Sequence, residues 1–356
     1  MIDFIIIGGG IAGVSAAARL SELGSVTLLE GEDALAYHAS GRSAALFEQN
    51  YGKPATVALN KASRDFHAAA EVLSPRGLLL IGRQDEADAF SADQQSMQLA
   101  EISVADATTK FPILNADLIV HAAFDPDAWD IDTDKLVQTF ARMARKNGAA
   151  IATKSLVTGI KRLSTGWAVT TSAQTYEGRV VVNAAGAWVD VIAELAGIAP
   201  LGFTPLRRSM ARIPAPSGHN VSSWPMVFGP GESWYAKPDA GALIVSPGEE
   251  DPVAPHDAYA DDMVLAEGLA RYEANVTEPV TRLLSSWAGL RTFAPDRSLV
   301  LGPDTTDPSF IWCAGQGGYG MQSSPAASQL LADLISGAPS DIPAQAIAAL
   351  SPGRFT

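Results

Sequence analysis

The chain has 356 residues, more than one hydrophobic core usually serves, so two domains are expected. It is 47% apolar and 18% charged, enough to bury a sizeable interior, and its formal net charge of -14 excludes nucleic acid and anionic membrane as partners. The single cysteine, Cys313, excludes an intrachain disulfide and a cysteine-based metal cluster, and the lack of a membrane-spanning apolar run points to a cytoplasmic protein.

The first predicted unit is the clearest. An apolar run, Phe4-Ile5-Ile6-Ile7, ends in Gly8-x-Gly10-x-x-Gly13; a helix-like segment begins at Ile11-Ala12, and a second apolar run ends at Glu30. This is the order strand, glycine turn, helix, strand of a dinucleotide fold. Gly8 permits the sharp turn, Gly10 lets backbone approach a pyrophosphate, and Gly13 lets helix and strand pack closely. The helix N-terminus offers unpaired N–H groups to phosphate, and Glu30 stands where a carboxylate accepts from ribose hydroxyls. A secretory leader is rejected, because Asp3 is the only charge before the apolar run and such leaders begin basic.

Further along, Ser40 reads as an N-cap opening a segment through Ala45. Helices are predicted over 55–73 and 85–100, around a short strand at 78–81. Residues 132–147 form an amphipathic helix, capped by Asp132 and ended by Asn147-Gly148. Strands follow at 150–157, 167–171 and 179–183. The Pro-, Gly- and aromatic-rich stretch 200–247 carries β runs at 206–213, 233–237 and 242–245. Helix returns over 258–274, then a buried strand at 309–314, a glycine loop at 315–320 and a helix to Ser336. The expectation is an α/β chain: a Rossmann-like domain from 1–75, 148–200 and 285–356, interleaved with a mixed-sheet α+β substrate domain from 76–147 and 201–284.

Nicotinamide and flavin proteins share the first motif, so others must decide. Val180-Val181-Val182-Asn183-Ala184-Ala185-Gly186-Ala187-Trp188 is a β-branched strand breaking into small residues, as needed where backbone passes a bound cofactor; alone it fits an ordinary strand-to-helix turn equally well. Phe310-Ile311-Trp312-Cys313-Ala314-Gly315-Gln316-Gly317-Gly318-Tyr319-Gly320 runs strand, glycine loop, helix, with no acid-terminated strand after it. A helix starting near Met321 suits the partial negative charge on the pyrimidine edge of reduced flavin. Together these motifs favour FAD.

These motifs, with Ala288-Gly289-Leu290-Arg291-Thr292-Phe293-Ala294-Pro295-Asp296, resemble the D-amino-acid oxidase superfamily of FAD enzymes in collinear order along nearly the whole chain. The resemblance is strongest to its bacterial D-arginine dehydrogenases. It is carried by His38-x-Ser40-Gly41-Arg42-Ser43-Ala44-Ala45, Tyr51-Gly52, Asp130-Ile131-Asp132-Thr133-Asp134, Arg207-Arg208-Ser209 and Tyr235-x-Lys237-Pro238-Asp239-Ala240-Gly241. It implies non-covalent FAD held by the N-terminal motif, by His38, Ser40, Arg42, Ser43, Ala44 and Ala45, by Val157, Ala185, Gly186 and Trp188, and by Gly315, Gly317, Gly318, Tyr319, Gly320 and Met321. It also implies that Arg208 and Arg291 bind the substrate carboxylate, that Tyr51 and Tyr235 line the pocket with Tyr235 on that carboxylate, and that the Gly318 carbonyl accepts from the amine. Met226 and Phe228 would supply apolar contacts.

A guanidinium fork suits a carboxylate, although residue type alone allows each arginine a structural ion pair. Arg207, next to Arg208 in a strand, faces the other way. The five histidines are read as solvated or structural, with His38 near the cofactor. Cys313, inside an apolar strand, is read as core rather than as a flavin tether.

The implied activity is oxidative deamination of a D-amino acid by a dehydrogenase, giving a 2-oxo acid and ammonia to an unknown electron acceptor. The alternatives are an oxygen-using oxidase of glycine, sarcosine or another secondary amino acid, and a non-catalytic flavin-binding protein. Two positions depart from the D-arginine dehydrogenase pattern: Leu78 stands for the glutamate that receives the guanidinium, and Leu46 for a histidine. An apolar wall there rejects a buried cation by several kcal/mol, so a neutral or apolar side chain is expected. Glu48, between Leu46 and Tyr51, is a carboxylate at the pocket rim.

Overall fold

A computed structural model describes residues 1–355. Its first sheet is built on parallel strands Ala150–Ala152, Val26–Leu29, Ile2–Ile7, Thr175–Asn183 and Phe310–Ala314, in that spatial order. Val300–Pro303 closes one edge antiparallel to Phe310–Ala314, and Val157–Leu163 and Gly166–Thr171 extend Thr175–Asn183 as an antiparallel meander. The N-terminal strand is apolar from Phe4 to Ile7 because both faces are covered there. Phe4 and Ile6 point into a core shared with helices Ile11–Leu20, Pro54–Ala69, Thr133–Lys146 and Gly320–Ser336, while Ile5 and Ile7 point into a second core with Trp167, Val181 and Trp312.

The second sheet holds nine strands, including Leu78–Arg83, Ile119–Asp125, Thr204–Pro214, Met226–Phe228, Tyr235–Asp239, Ala242–Ser246 and Ser285–Phe293. It is mixed, since Met226–Phe228 runs parallel to Leu78–Arg83 and most other pairs are antiparallel. Ser285–Phe293 lies here, along Thr204–Pro214 over nine residue pairs. Helix Thr133–Lys146 packs instead against helix Ile11–Leu20 on the first sheet. The α/β architecture with a second, mixed sheet is therefore as the sequence predicts.

Local chemistry sets several boundaries. Asp132 accepts from Lys135 N–H and caps its helix, and Asn147 ends it. The 55–73 prediction overruns: the helix is Pro54–Ala69, and Leu73 already belongs to the short strand Leu73–Pro75. The helix expected over 258–274 starts only at Asp262, because the Asp261 carboxylate takes the Met263 and Val264 N–H groups. Ser40 opens no helix. Residues 32–42 are bends and turns, and the Ser40 hydroxyl reaches back to accept from Ile11 N–H at 3.0 Å, capping the first helix instead.

Candidate active site

Three cavities line up along the crevice between the sheets. The first, about 370 Å³, is bordered by Gly8, Gly10, Glu30, His38, Ser40 and Arg42 on one side and by Val157, Ala185, Gly186 and Trp188 on the other. The second, about 130 Å³, carries Ile11, Ala12, Ser43 and Ala44 opposite Gly317, Gly318, Gly320 and Met321, with Arg208 and Arg291 at its end. The third, about 240 Å³, is walled by Ala45, Leu46, Glu48 and Tyr51 and by Leu78, Met226, Phe228 and Tyr235, and shares Arg291 and Gly318 with the second. The sequence-predicted residues thus gather into one continuous trough. Gly13, Gly315 and Tyr319 stand behind its walls.

The glycines are required by contact. A Cβ on Gly8, whose φ is +109°, would lie 2.4 Å from Ala184 O; one on Gly13 would lie 1.8 Å from Gly8 O. At Gly317 (φ +49°) it would press into the Phe293 ring at 2.3 Å. These are positions where backbone runs against backbone or ring beside a narrow channel, which fits an extended dinucleotide. Glu30 is oriented by accepting from Gly9 N–H (2.6 Å) and Glu32 N–H (2.8 Å), and still borders the cavity. His38 is held by Glu32 at 2.9 Å and lies against Trp188. Arg42, which borders the first two cavities, donates to Asp257, Ala258 O and Ala288 O, tying the turn to the second sheet. Cys313 is buried with its thiol 3.8 Å from Ala12 O, and burial pushes it up to about 12, which leaves little thiolate for a covalent tether.

Strand register places the two arginines. Arg208 pairs with Gly289 and Arg291 with Leu206, so both project from one face as diagonal neighbours. Arg207 takes the opposite face, where it pairs with Asp251 at 2.7 Å. Their environments differ sharply. Arg208 is 3% exposed and fully engaged: its Nε donates to Glu249 O at 2.9 Å, and its two terminal nitrogens lie 3.4 Å from Glu232 and Glu250. Arg291 keeps 22% of its side chain exposed while enclosed by protein, so what it exposes is cavity.

Both arginines meet a residue that sequence reasoning missed. Glu232, in the turn Pro230–Glu232, lies 3.7 Å from Arg291 and accepts from the Tyr51 hydroxyl. Burial would raise its carboxyl, but Arg291 and Arg208 outweigh this and hold it below the usual range. The two arginines and Tyr51 are thus shown gripping a carboxylate of the chain itself. The only sequence signal was an acid inside the glycine-rich turn Gly229-Pro230-Gly231-Glu232 just before Trp234-Tyr235. Tyr235 departs from expectation: its ring lines the cavity, but its hydroxyl donates to Met210 Sδ at 3.4 Å. Tyr51 is the tyrosine that meets a carboxylate. Gly318 packs between both groups, since a Cβ there would sit 3.1 Å from Arg291 Nη1 and 3.5 Å from the Tyr51 hydroxyl.

The floor follows from sheet pairing. Leu78 pairs with Met226 and Phe228 with Tyr235, so alternate residues of three strands form one largely apolar surface. At the far wall Glu48 is 2% exposed, and burial pushes its carboxyl up to about 7. The unfolded chain ionises this group from about pH 4.5, the folded chain only near 7. Stability therefore falls as pH rises across that window, by about 3 kcal/mol in full. Glu48→Gln is expected to raise the melting temperature at pH 8.5 and to change it little at pH 5; an equal shift at both would show that ionisation is not the cause.

The sequence matches the FAD dependent oxidoreductase family over residues 3–334. The chain belongs to this family. It is 24% identical to the FAD-dependent oxidoreductase domain-containing protein 1 of Bos taurus across 94% of this chain and 81% of that protein. Among solved structures it resembles L-proline dehydrogenase from P. horikoshii (TM-score 0.85, 22% identity, 99% of this chain and 97% of that one). It also resembles glycine oxidase from Geobacillus kaustophilus (TM-score 0.84, 22% identity, 98% of each). The chain is an FAD-dependent oxidoreductase, and its first two cavities, with their required glycines, form a channel suited to that cofactor. None of its described helices is long and apolar enough to cross a membrane.

Proposed function

We propose that this flavoenzyme oxidises a D-amino acid with a neutral or apolar side chain, as a dehydrogenase, releasing a 2-oxo acid and ammonia. The observation that carries the reading is the Arg291–Tyr51 pair beside Gly318, already closed on a carboxylate at the mouth of the flavin channel. FAD, when bound, supplies the acceptor for the hydride that leaves the substrate α-carbon. Arg291 and Tyr51 hold the substrate carboxylate in place of Glu232, which turns back onto Arg208, and so fix the α-carbon. The Gly318 carbonyl accepts from the amine. The arginines' positive charge lowers the ammonium pKa and favours the neutral amine that oxidation requires. Water then hydrolyses the imino acid. FAD is held without a covalent bond, so acid precipitation of the holoprotein is expected to leave the flavin in solution; colour in the pellet would contradict this.

Support for a neutral side chain comes from Leu46 and Leu78 in the walls, where the resembling D-arginine dehydrogenases place a histidine and a glutamate. Steady-state kinetics test it: D-leucine, D-methionine or D-alanine should be favoured over D-arginine, and the reverse order would overturn the apolar-wall reading. A second reading, an oxidase acting on glycine or a secondary amino acid, has support in the likeness to glycine oxidase and L-proline dehydrogenase. Readmitting air to the substrate-reduced enzyme separates them, because an oxidase reoxidises at once and a dehydrogenase needs another acceptor. A purely flavin-binding role would leave the cavity-facing part of Arg291 without a ligand to bind.

A further inference from the structure

Among the polar groups that line the third cavity, Glu48 is one that the proposed chemistry does not use. Glu48 follows the wall residues Leu46 and Phe47, and its backbone N–H donates to Gln322 Oε1 at 3.0 Å, which pins the residue to the start of helix Gly320–Ser336. One carboxylate oxygen, Oε1, accepts from Asn50 N–H at 2.9 Å. The other, Oε2, has no partner on the protein. Leu46, Leu78, Met97, Met226 and Phe228 line the same cavity and offer nothing to a carboxylate, and Ser43, Asp93 and Ser96, which line it too, make no bond to Glu48 Oε2. A buried oxygen left without a donor costs free energy in proportion to its charge, so any ligand that supplies a donor gains over one that does not.

We propose that Glu48 is a specificity-determining residue that receives an N–H or O–H donor from the end of the substrate side chain. This rests on the amino-acid reading above and narrows it: among neutral side chains, the pocket selects those ending in an amide, hydroxyl or ring N–H over hydrocarbons of the same shape. Arg291 fixes the carboxylate at one end of the cavity, and Glu48 reads the other end.

The selection depends on pH. The charges facing Glu48 are Asp125 from strand Ile119–Asp125, which opposes its ionisation, and Lys61 from helix Pro54–Ala69, which favours it weakly. His67 on that helix donates through Nε2 to Gln322 O, and burial pushes it towards the neutral form. Asp93 and Glu232 border the same cavity. With burial dominant, Glu48 changes charge close to neutrality. A hydrocarbon side chain binds well only while Glu48 is protonated, so its binding weakens up to tenfold per pH unit above that point. A donor-bearing side chain satisfies the ionised form and escapes the penalty.

The test is anaerobic flavin reduction by shape-matched pairs, D-asparagine against D-leucine and D-glutamine against D-methionine, with the L enantiomers alongside. It is run on the wild-type, Glu48→Leu and Glu48→Gln holoproteins at pH 6 and pH 8.5. The α-amine titrates similarly in both members of a pair, so the ratio of reduction efficiencies isolates the side chain. In the wild type the donor-to-hydrocarbon ratio should rise at least tenfold between the two pH values. Glu48→Gln should keep a donor preference that no longer changes with pH, and Glu48→Leu should reverse the preference. A wild-type ratio that stays within twofold at both pH values and in Glu48→Leu would overturn the proposal while leaving amino-acid oxidation intact. Should no amino acid reduce the flavin, that reading fails instead. Perturbation of the flavin spectrum by succinamate against 4-methylpentanoate then decides the role of Glu48 by binding alone, on the same expected ratios.

Discussion

Replacing Arg291 with alanine is expected to lower kcat/KM for the best amino-acid substrate by roughly 10³-fold. That corresponds to about 4 kcal/mol, the loss typical when one partner of an enclosed, hydrogen-bonded charge pair is removed. Arg291 is the arginine whose side chain opens into the cavity, and nothing else there can take its place. Arg208, at the end of the second cavity, is already committed to Glu232, Glu250 and Glu249 O. The two variants should therefore separate. Arg291→Ala should abolish carboxylate recognition and spare flavin content, with a small loss of melting temperature because Glu232 keeps Arg208. Arg208→Met should lower the melting temperature further, because it removes the buried guanidinium that joins Glu249 O, Glu232 and Glu250. Steady-state kinetics beside thermal unfolding distinguish these outcomes; equal kinetic and thermal profiles for both variants would contradict the division of labour.

Gly8→Ala should strip the protein of most of its flavin. At φ +109° an L-residue is strained, and the new Cβ would meet Ala184 O at 2.4 Å, where the strands Ile2–Ile7 and Thr175–Asn183 end side by side. Those strand ends cannot separate without opening the floor of the first cavity. Purified Gly8→Ala is expected to carry less than about a tenth of the wild-type flavin, as overpacking of a few kcal/mol at a binding site implies. Gly218→Ala is the matching control: it too has positive φ, at +80°, but nothing lies within 4 Å of its Cβ, so it should retain full flavin content. Flavin-to-protein absorbance ratios read both.

What was legible in the sequence followed from local physics. The glycine turn at Gly8–Gly13 and the capped helix Thr133–Lys146 depend on neighbours within a few residues, and both stand where the pattern put them. The loop from Gly315 to Gly320 is legible for the same reason. Strand Ser285–Phe293 was harder to read, because it opens with exposed Ser285 and Ser286 and owes its place to pairing with a segment about eighty residues earlier. Ile119–Asp125 is similar, its alternation masked by exposed Val120 and half-buried His121.

At the site, Arg208 and Arg291 were found through resemblance, and register then explained why they share a face. Their unequal exposure is a property of packing that no local pattern encodes. Glu232 escaped notice because a turn residue's partners are set by where the turn lands. Tyr235 was assigned the carboxylate bond on resemblance, while its hydroxyl lies against Met210, and Tyr51 makes the bond to a carboxylate. Ser40 was recognised as a cap but matched to the wrong helix, since the hydroxyl serves one whose first turn lies far behind it in sequence.

The central claim is that an amino acid is oxidised with its carboxylate held by Arg291 and Tyr51. Its most direct test is anaerobic mixing of the holoprotein with paired D- and L-amino acids, glycine and sarcosine, following loss of the visible flavin band. The account predicts rapid bleaching by a neutral D-amino acid, none by its L enantiomer, and none by its carboxamide, which cannot engage the clamp as an anion. Bleaching by the carboxamide as fast as by the free acid, or by no amino acid at all, would contradict it.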